Sequence, residues 1–336
     1  MTIYDIAQAA GVSASTVSRV INNKPGIKES TRKRIQKLLK EYDYTPNITA
    51  RGLVMQASRF IGILIEDIRV EHHTESAYVI EQEMTRQGYT CITFSTGEEP
   101  QRKADYIGIL EQRRVEGAIL IGSMFSAEEV RKSIEQHLPN IPVAIVNGTL
   151  DLPNVYSVLV DEERGTEECV NMLVQAGRRR LAYIMDVSTP SNLSKKRGFY
   201  TGMLRCGLNR DEERVFTAPG EGTSPRAAIE RGRAAARQLL QEMPEVEGVL
   251  CATDALAVGC LQEMQAHGIA IPQDVAVVGV DNTLYGQLCT PTLTTLDNKL
   301  AEVSLAAARM LLDVLDGKSI SRKTMLPTEI IRRDST

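Results

Sequence analysis

The apolar positions at the head of the chain repeat with a helical period and then, from about residue 60, give way to short apolar runs. Ile3, Ile6, Ala7 and Ala10 share one face of a helix over about 3–10. Thr2 with Asp5 three positions later makes a capping box, and Gly11 suits the helix end. Ser13 is a good N-cap for a second helix running to about Asn22, with Val17, Val20 and Ile21 on one side and Ser15, Ser18, Arg19 and Asn22 on the other. A third helix is expected from about Glu29 to Tyr42, where Ile35, Leu38, Leu39 and Tyr42 form the stripe that closes a small core. Two short helices joined by a glycine-containing turn make a helix-turn-helix unit.

Beyond Phe60 the pattern becomes strand, helix, strand. Ile61–Ile65 is followed by a helix over about 74–87 and then by Thr90–Phe94. Further apolar runs at Gly117–Ile121, Val143–Val146, Leu181–Met185, Gly248–Cys251 and Val275–Gly279 continue the rhythm, which restarts near Asp161. Repeated βα units predict parallel sheets covered by helices, with ligands beyond the carboxyl ends of the strands.

Charge sharpens this division. Residues 1–59 carry ten Lys/Arg against four Asp/Glu, a net +6, whereas the rest carries 29 against 39, a net −10. A basic head on an acidic body suits binding to a phosphate backbone. On the second helix, Ala14, Ser15 and Arg19 are positioned to meet base edges: a guanidinium can bond guanine in bidentate fashion, and a methyl can meet thymine. Thr2, Tyr4, Ser13, Thr16, Ser18 and Asn22 are the candidates for phosphate contacts, together with one or two of the five cations Arg32, Lys33, Arg34, Lys37 and Lys40. For an isolated amphipathic helix, a merely solvated polar face would be the better reading; here the turn, the caps and the charge agree.

The run Thr2-Ile-Tyr-Asp-Ile-Ala-Gln-Ala-Ala-Gly-Val-Ser, then Thr16-Val-Ser-Arg-Val-Ile-Asn-Asn, Tyr44-Thr-Pro-Asn and Ala50-Arg51-x-Leu53 resembles the lactose/galactose repressor (LacI/GalR) family of bacterial transcriptional regulators. The resemblance implies a hinge helix over 47–54 that folds on operator DNA. In it Asn47, Ala50, Arg51 and Leu53 would meet the minor groove, with Leu53 wedged into the central base step. An eight-residue helix is too short to be stable alone in water. Gly52, where the family carries Ser or Gln, costs it about 1 kcal/mol of propensity relative to Ala.

The body carries looser likenesses: Val160-Asp161-x-x-x-Gly165, Gly177–Ile184, Gly198-Phe199, Ala252-Thr-Asp254, Val278–Asn282 and Thr290-Pro-x-Leu-Thr-Thr295. They resemble the two-lobed sensor of the same family. The implied fold is an all-α helix-turn-helix DNA-binding domain (1–45), a hinge and linker (46–58), and an α/β two-lobed periplasmic-binding-protein-like (type I) sensor (59–336). Three crossings near 160, 291 and 320 would divide the sensor into an N-lobe of about 59–160 and 292–320 and a C-lobe of about 161–291 and 321–334.

The effector candidates at strand ends are Asp67, Asn147, Lys195, Thr253, Asp281 and Asn298, whose carboxylates and amides suit a polyhydroxylated ligand. Thr253 and Asp281 also fit as caps of βα turns. Two departures blur the assignment to a sugar. Lys195 stands where the family carries Arg, replacing a planar fork with a point charge. No Phe, Tyr or Trp lies between Phe216 and Tyr285, leaving Phe125, Tyr78 or Tyr285 as stacking platforms.

These features predict a homodimeric repressor of carbohydrate-utilisation genes. It would bind double-stranded palindromic operator DNA under the control of a sugar or sugar phosphate. The alternatives are a catabolite-control-type regulator governed by a phosphorylated carrier protein, and a cytoplasmic sugar-processing enzyme. G-x-S-x-G, P-loop and zinc-ligand spacings are lacking, and no cofactor or metal is expected. His72 and His73 are expected on a surface loop, and His137 and His267 apart from any nucleophile. The six cysteines (Cys91, Cys169, Cys206, Cys251, Cys260 and Cys289) are read as reduced core thiols. The absence of a signal region and of a long apolar run predicts a cytoplasmic protein off the membrane, and Ile330–Arg333 offers no leucine heptads for tetramers.

Overall fold

The computed structural model describes residues 2–21, 24–44, 58–208, 214–220, 222 and 224–336. The chain divides into two compact units, Met1–Ser58 and Arg59–Thr336. Asn22, Asn47, Ala50, Arg51 and Leu53, with the proposed hinge, lie outside the described residues.

In the first unit α1 spans Ile3–Ala10, α2 Ala14–Ile21 and α3 Glu29–Glu41. Both halves of the capping box at Thr2 and Asp5 form, and Gly11 ends α1 in the left-handed conformation at φ 60°. Ile6, Ala7, Ala10, Val17, Val20 and Ile35 make the core. The expected stripe on α3 is buried in depth only at Ile35. Leu38 and Leu39 are half-buried, and Tyr42, one residue beyond the helix, is exposed, because a head this small cannot enclose a full stripe.

The second unit holds two six-stranded sheets. The strands are β1 Phe60–Ile65, β2 Thr90–Ser95, β3 Gly117–Ile121, β4 Val143–Val146, β5 Val155–Val160, β6 Leu181–Met185, β7 Val215–Thr217, β8 Gly248–Cys251, β9 Ala276–Val280, β10 Thr294–Asp297, β11 Lys323–Leu326 and β12 Glu329–Ile331. The first sheet runs β11-β5-β4-β3-β1-β2, all parallel. The second runs β12-β10-β9-β8-β6-β7, parallel except at β10 with β12.

Helices α4 (Glu71–Arg86) and α12 (Leu300–Leu315) cover one face of the first sheet; α5 (Pro100–Gln112) and α6 (Glu128–His137) cover the other. The second sheet is packed by α7 (Glu162–Gln175), α8 (Pro190–Arg205), α9 (Pro225–Glu242) and α10 (Asp254–Ala266), and α11 (Leu284–Leu288) is a single short turn.

The chain passes between lobes at 161, at 298–299 and at 327–328, which corrects two of the three expected crossings. Thr294–Asp297 joins the second sheet rather than the first, and Lys323–Leu326 the first rather than the second. Each is only four residues long, TTLD in β10 and KTML in β11, and neither is an uninterrupted apolar run, so neither reads as a core strand from sequence. The crossings lie close together. At Gly165 a Cβ would come within 2.2 Å of Thr328 Oγ1 and 2.8 Å of Leu296, so glycine lets α7 pass directly over the other two segments.

Three cysteines are fully buried and three, Cys91, Cys206 and Cys289, only half so; all six are free thiols. Among the described residues no helix is long and apolar enough to cross a membrane.

Candidate functional site

Two surfaces carry the candidate chemistry, one on each unit. On the first, burial of Val17 and Val20 turns Ser15 and Arg19 outward, with Ser18 half-exposed beside them. Ala14 is half-buried against the small core, so only part of its methyl is free. Ser13 Oγ hydrogen-bonds Ser15 Oγ at 2.8 Å and Thr16 Oγ1 at 2.9 Å, and accepts from Thr16 N at 3.3 Å. This fixes the three hydroxyls at the helix start, where free amides favour an anion. Tyr4 is 73% exposed.

On the second unit the strand carboxyl ends of both sheets open onto one cavity of about 1340 Å³, counting its mouth. Asn147 follows β4 at φ 54°, and Asp281 follows β9 at φ 102°. Thr253 caps α10, its hydroxyl accepting from Leu256 N at 3.3 Å, and also faces the cavity. Asn147, Lys195, Thr253, Asp281 and Asn298 therefore share the wall, as the sequence suggested. Asp67 does not. Arg69 grips its carboxylate through Nε at 2.9 Å and Nη2 at 2.6 Å, while its carbonyl takes His73 Nδ1 at 3.2 Å. Its strand-end position was right, but the arginine two residues on turned the side chain to a structural task.

Sequence reasoning missed Glu162, the hub of the polar wall. Its Oε1 accepts from Ser191 Oγ at 2.8 Å and Asn298 Nδ2 at 3.3 Å, with Lys195 Nζ 3.6 Å away. Lys195 Nζ also donates to the Ala252 carbonyl at 2.9 Å. The signal lay inside the Asp161-x-x-x-Gly165 motif, where the first variable position opens α7. A second buried pair was missed as well: Arg231 Nη2 donates to Asp186 Oδ2 at 2.8 Å, and Asn192 Nδ2 to the other carboxylate oxygen at 3.2 Å.

The two adjacent histidines were misplaced on a surface loop. The first-lobe helix begins at Glu71, three residues earlier than its apolar pattern suggests, so both rings line the cavity. His73 is 2% exposed and continues the buried face of Ala77, Ile80 and Met84. That spacing of four, three and four was the available clue. Burial holds the His73 ring down to about 3, with His72 adding to the shift, and burial with the Lys195 charge holds His72 down to about 4. Both rings are neutral at ordinary pH.

Among the described residues Tyr285 is the one Phe or Tyr on this wall. Phe125 is fully buried, and Tyr78 does not reach it. The lobes also touch directly across the opening: Leu284 N donates to Glu71 Oε1 at 3.3 Å, and Ser191 N to Ser123 Oγ at 3.2 Å. On the wall Glu66 pairs with the buried Lys103 at 2.7 Å, and burial pushes the Glu66 carboxyl up despite that partner.

Comparison with known proteins finds two family models: bacterial regulatory proteins of the lacI family over residues 2–47, and a periplasmic binding protein-like domain over residues 170–336. An HTH-type transcriptional regulator of Lachnoclostridium phytofermentans is 30% identical over all of this chain and 99% of its own length. Catabolite control protein A of Priestia megaterium is 28% identical over 100% of this chain and 99% of its own. Among solved structures, the lac repressor dimer bound to operator and the anti-inducer ONPF matches with a TM-score of 0.89 at 23% identity, covering 100% of this chain and 98% of that one.

Proposed function

The chain belongs to the LacI family of DNA-binding transcriptional regulators, and on that premise we propose that it is a homodimeric, cytoplasmic repressor of carbohydrate-utilisation genes whose operator affinity is set by a small effector in the cleft between its lobes. The observation that carries this reading is the pairing, in one chain, of a capped helix-turn-helix with outward Ser15, Ser18 and Arg19 and a sensor whose cavity draws walls from both sheets.

Residues 1–45 are the DNA-binding domain in this reading, 46–58 the hinge and 59–336 the sensor. Arg19 and Ser15, with the free part of the Ala14 methyl, read bases. Thr2, Tyr4, Ser13, Thr16, Ser18 and Asn22 hold phosphates. Asn47, Ala50, Arg51 and Leu53 serve in the minor groove by their match to the family's hinge. Two-fold symmetry follows from a palindromic site, since each half-site needs its own recognition helix. Asn147, Lys195, Thr253, Asp281 and Asn298 contact the effector, joined by Glu162 and His73.

Control by a phosphorylated carrier protein is the second reading, favoured by the likeness to catabolite control protein A. One experiment tests both. An operator is selected from random duplexes, and its affinity for the full chain is measured by fluorescence anisotropy with sugars, amino sugars, sugar phosphates, nucleobases and phosphorylated carrier protein. A selected site with two-fold symmetry and a response to a small compound are expected. Selected duplexes without symmetry overturn the dimeric reading. A response to the carrier protein alone establishes the second reading, and affinity unmoved by every addition overturns effector control.

A further inference from the structure

The wall of the cavity has a polarity that selects among ligands. Asn298 Nδ2 lies between two carboxylates, 3.0 Å from Asp281 Oδ1 and 3.3 Å from Glu162 Oε1. Carboxylates only accept, so the amide nitrogen must face them and Oδ1 must face the other way. That oxygen is buried and has no partner, in a side chain whose residue is 9% exposed. Leaving a buried acceptor of this kind unmet is costly unless a ligand supplies a donor.

His73 Nε2 is a second buried atom without a partner. His73 Nδ1 lies 3.2 Å from the Asp67 carbonyl and 3.4 Å from Asp67 N; assigning the ring proton to Nδ1 for the shorter contact leaves Nε2 an acceptor as well.

Charge points the same way. Among the described residues the lysine and arginine on the wall are Lys195 and Arg231, and each is already engaged, by Glu162 and the Ala252 carbonyl and by Asp186. Among the described residues Glu71 and Asp281 line the cavity with no Lys or Arg within ion-pair distance. The second mouth of the cleft adds Glu75, Asp297 and Glu302 against Lys299, which is itself paired with Glu329. A phosphate entering this cleft would meet acceptors and net negative charge, with no uncommitted cation among the described residues to receive it.

Building on the reading of the cleft as the effector site, we propose that the effector is a hydroxylated compound carrying a protonated amine, held by Asp281, Asn298 and His73, and that phosphorylated analogues are excluded. An ammonium brings three donors and one positive charge to two unmet acceptors and one carboxylate. The stem hydroxyls have Ser191, Asn192 and Asn147 within the same cavity.

The test is calorimetry on the full chain without DNA, using matched triplets on glucose, galactose and mannose: parent sugar, amino sugar and sugar phosphate. In every triplet that binds, the amino sugar should bind about tenfold or more tighter than the phosphate, and its affinity should fall more with added salt than the parent's. Asp281→Asn should level the amino sugar and the parent; if that variant fails to fold, the salt dependence of the wild-type protein draws the same distinction. A triplet in which the parent or the phosphate binds tightest overturns the amine assignment while leaving the cleft as the effector site. Triplets that do not bind at all overturn the assignment too, and operator affinity unmoved by any small compound would remove the cleft reading beneath it.

Discussion

Arg19 donates from Nη2 to the carbonyl of Pro25 at 3.0 Å, so the guanidinium chosen for base reading rests on the loop after its own helix. Both groups are exposed, and exchanging that bond for water or a base edge costs little. Arg19→Ala should therefore leave the melting temperature nearly unchanged while losing about 1–3 kcal/mol of discrimination between operator and scrambled duplex. Arg19→Lys should keep non-specific affinity and still lose discrimination, because a point charge cannot form the bidentate fork. Anisotropy on both duplexes at one salt concentration checks this, and an unchanged ratio for the alanine variant removes Arg19 from the reading role.

Log affinity for operator should fall linearly with log salt as released counterions accumulate. Leu53→Ala should weaken operator binding more than non-specific binding and leave that slope unchanged, since a wedge releases no counterion. Equal losses on both duplexes would count against the wedge.

Asp254 predicts a pH effect on stability. Its carboxylate is fully buried, accepting from Thr295 Oγ1 at 2.6 Å and Thr283 N at 2.6 Å. Burial outweighs those bonds and pushes its carboxyl from 3.8 up to about 7. With the folded value above the unfolded one, the stabilisation is fully present below about pH 4 and is lost as pH rises through about 7. Asp254→Asn can keep both partners without the charge. The wild-type protein should therefore lose stability relative to the variant between about pH 4 and 7 and run level with it above, as read by denaturant unfolding. Parallel profiles would show that the carboxylate is ionised without penalty.

Gly165→Ala should cost about 1–3 kcal/mol, because the added methyl meets Thr328 and Leu296 where three crossings converge. Thr328→Ala should restore part of it by removing the nearest atom. Urea unfolding of the single and double variants measures the coupling, and simple additivity would mean the crossing has room to spare.

The head and the central strands were legible because each announces itself locally: the Thr2–Asp5 capping box, Gly11, and uninterrupted runs such as Gly117–Ile121. Partners brought together from afar were not. Glu162 becomes a hub only when Ser191, Lys195 and Asn298 arrive from other elements; the Asp161-x-x-x-Gly165 motif marks its place in the chain but not those partners. His73 lay within reach of the helical period but was separated from its apolar run by polar residues. Asp67 shows the opposite failure, a correct position whose side chain a neighbour had already engaged. The last strands escaped because Lys323–Leu326 is largely exposed and pairs with Ser157–Val160, far back in the chain.

That long-range pairing governs how the protein is made. The first sheet opens at Phe60 and receives its outer strand only at Lys323, after all of the second lobe's strands but β12 have been synthesised. A nascent first lobe emerging from the ribosome must hold β5 with a bare edge while the second lobe forms beside it. Completion waits for residues 323–331, one short stretch that supplies a border strand to each sheet and stitches the two halves together.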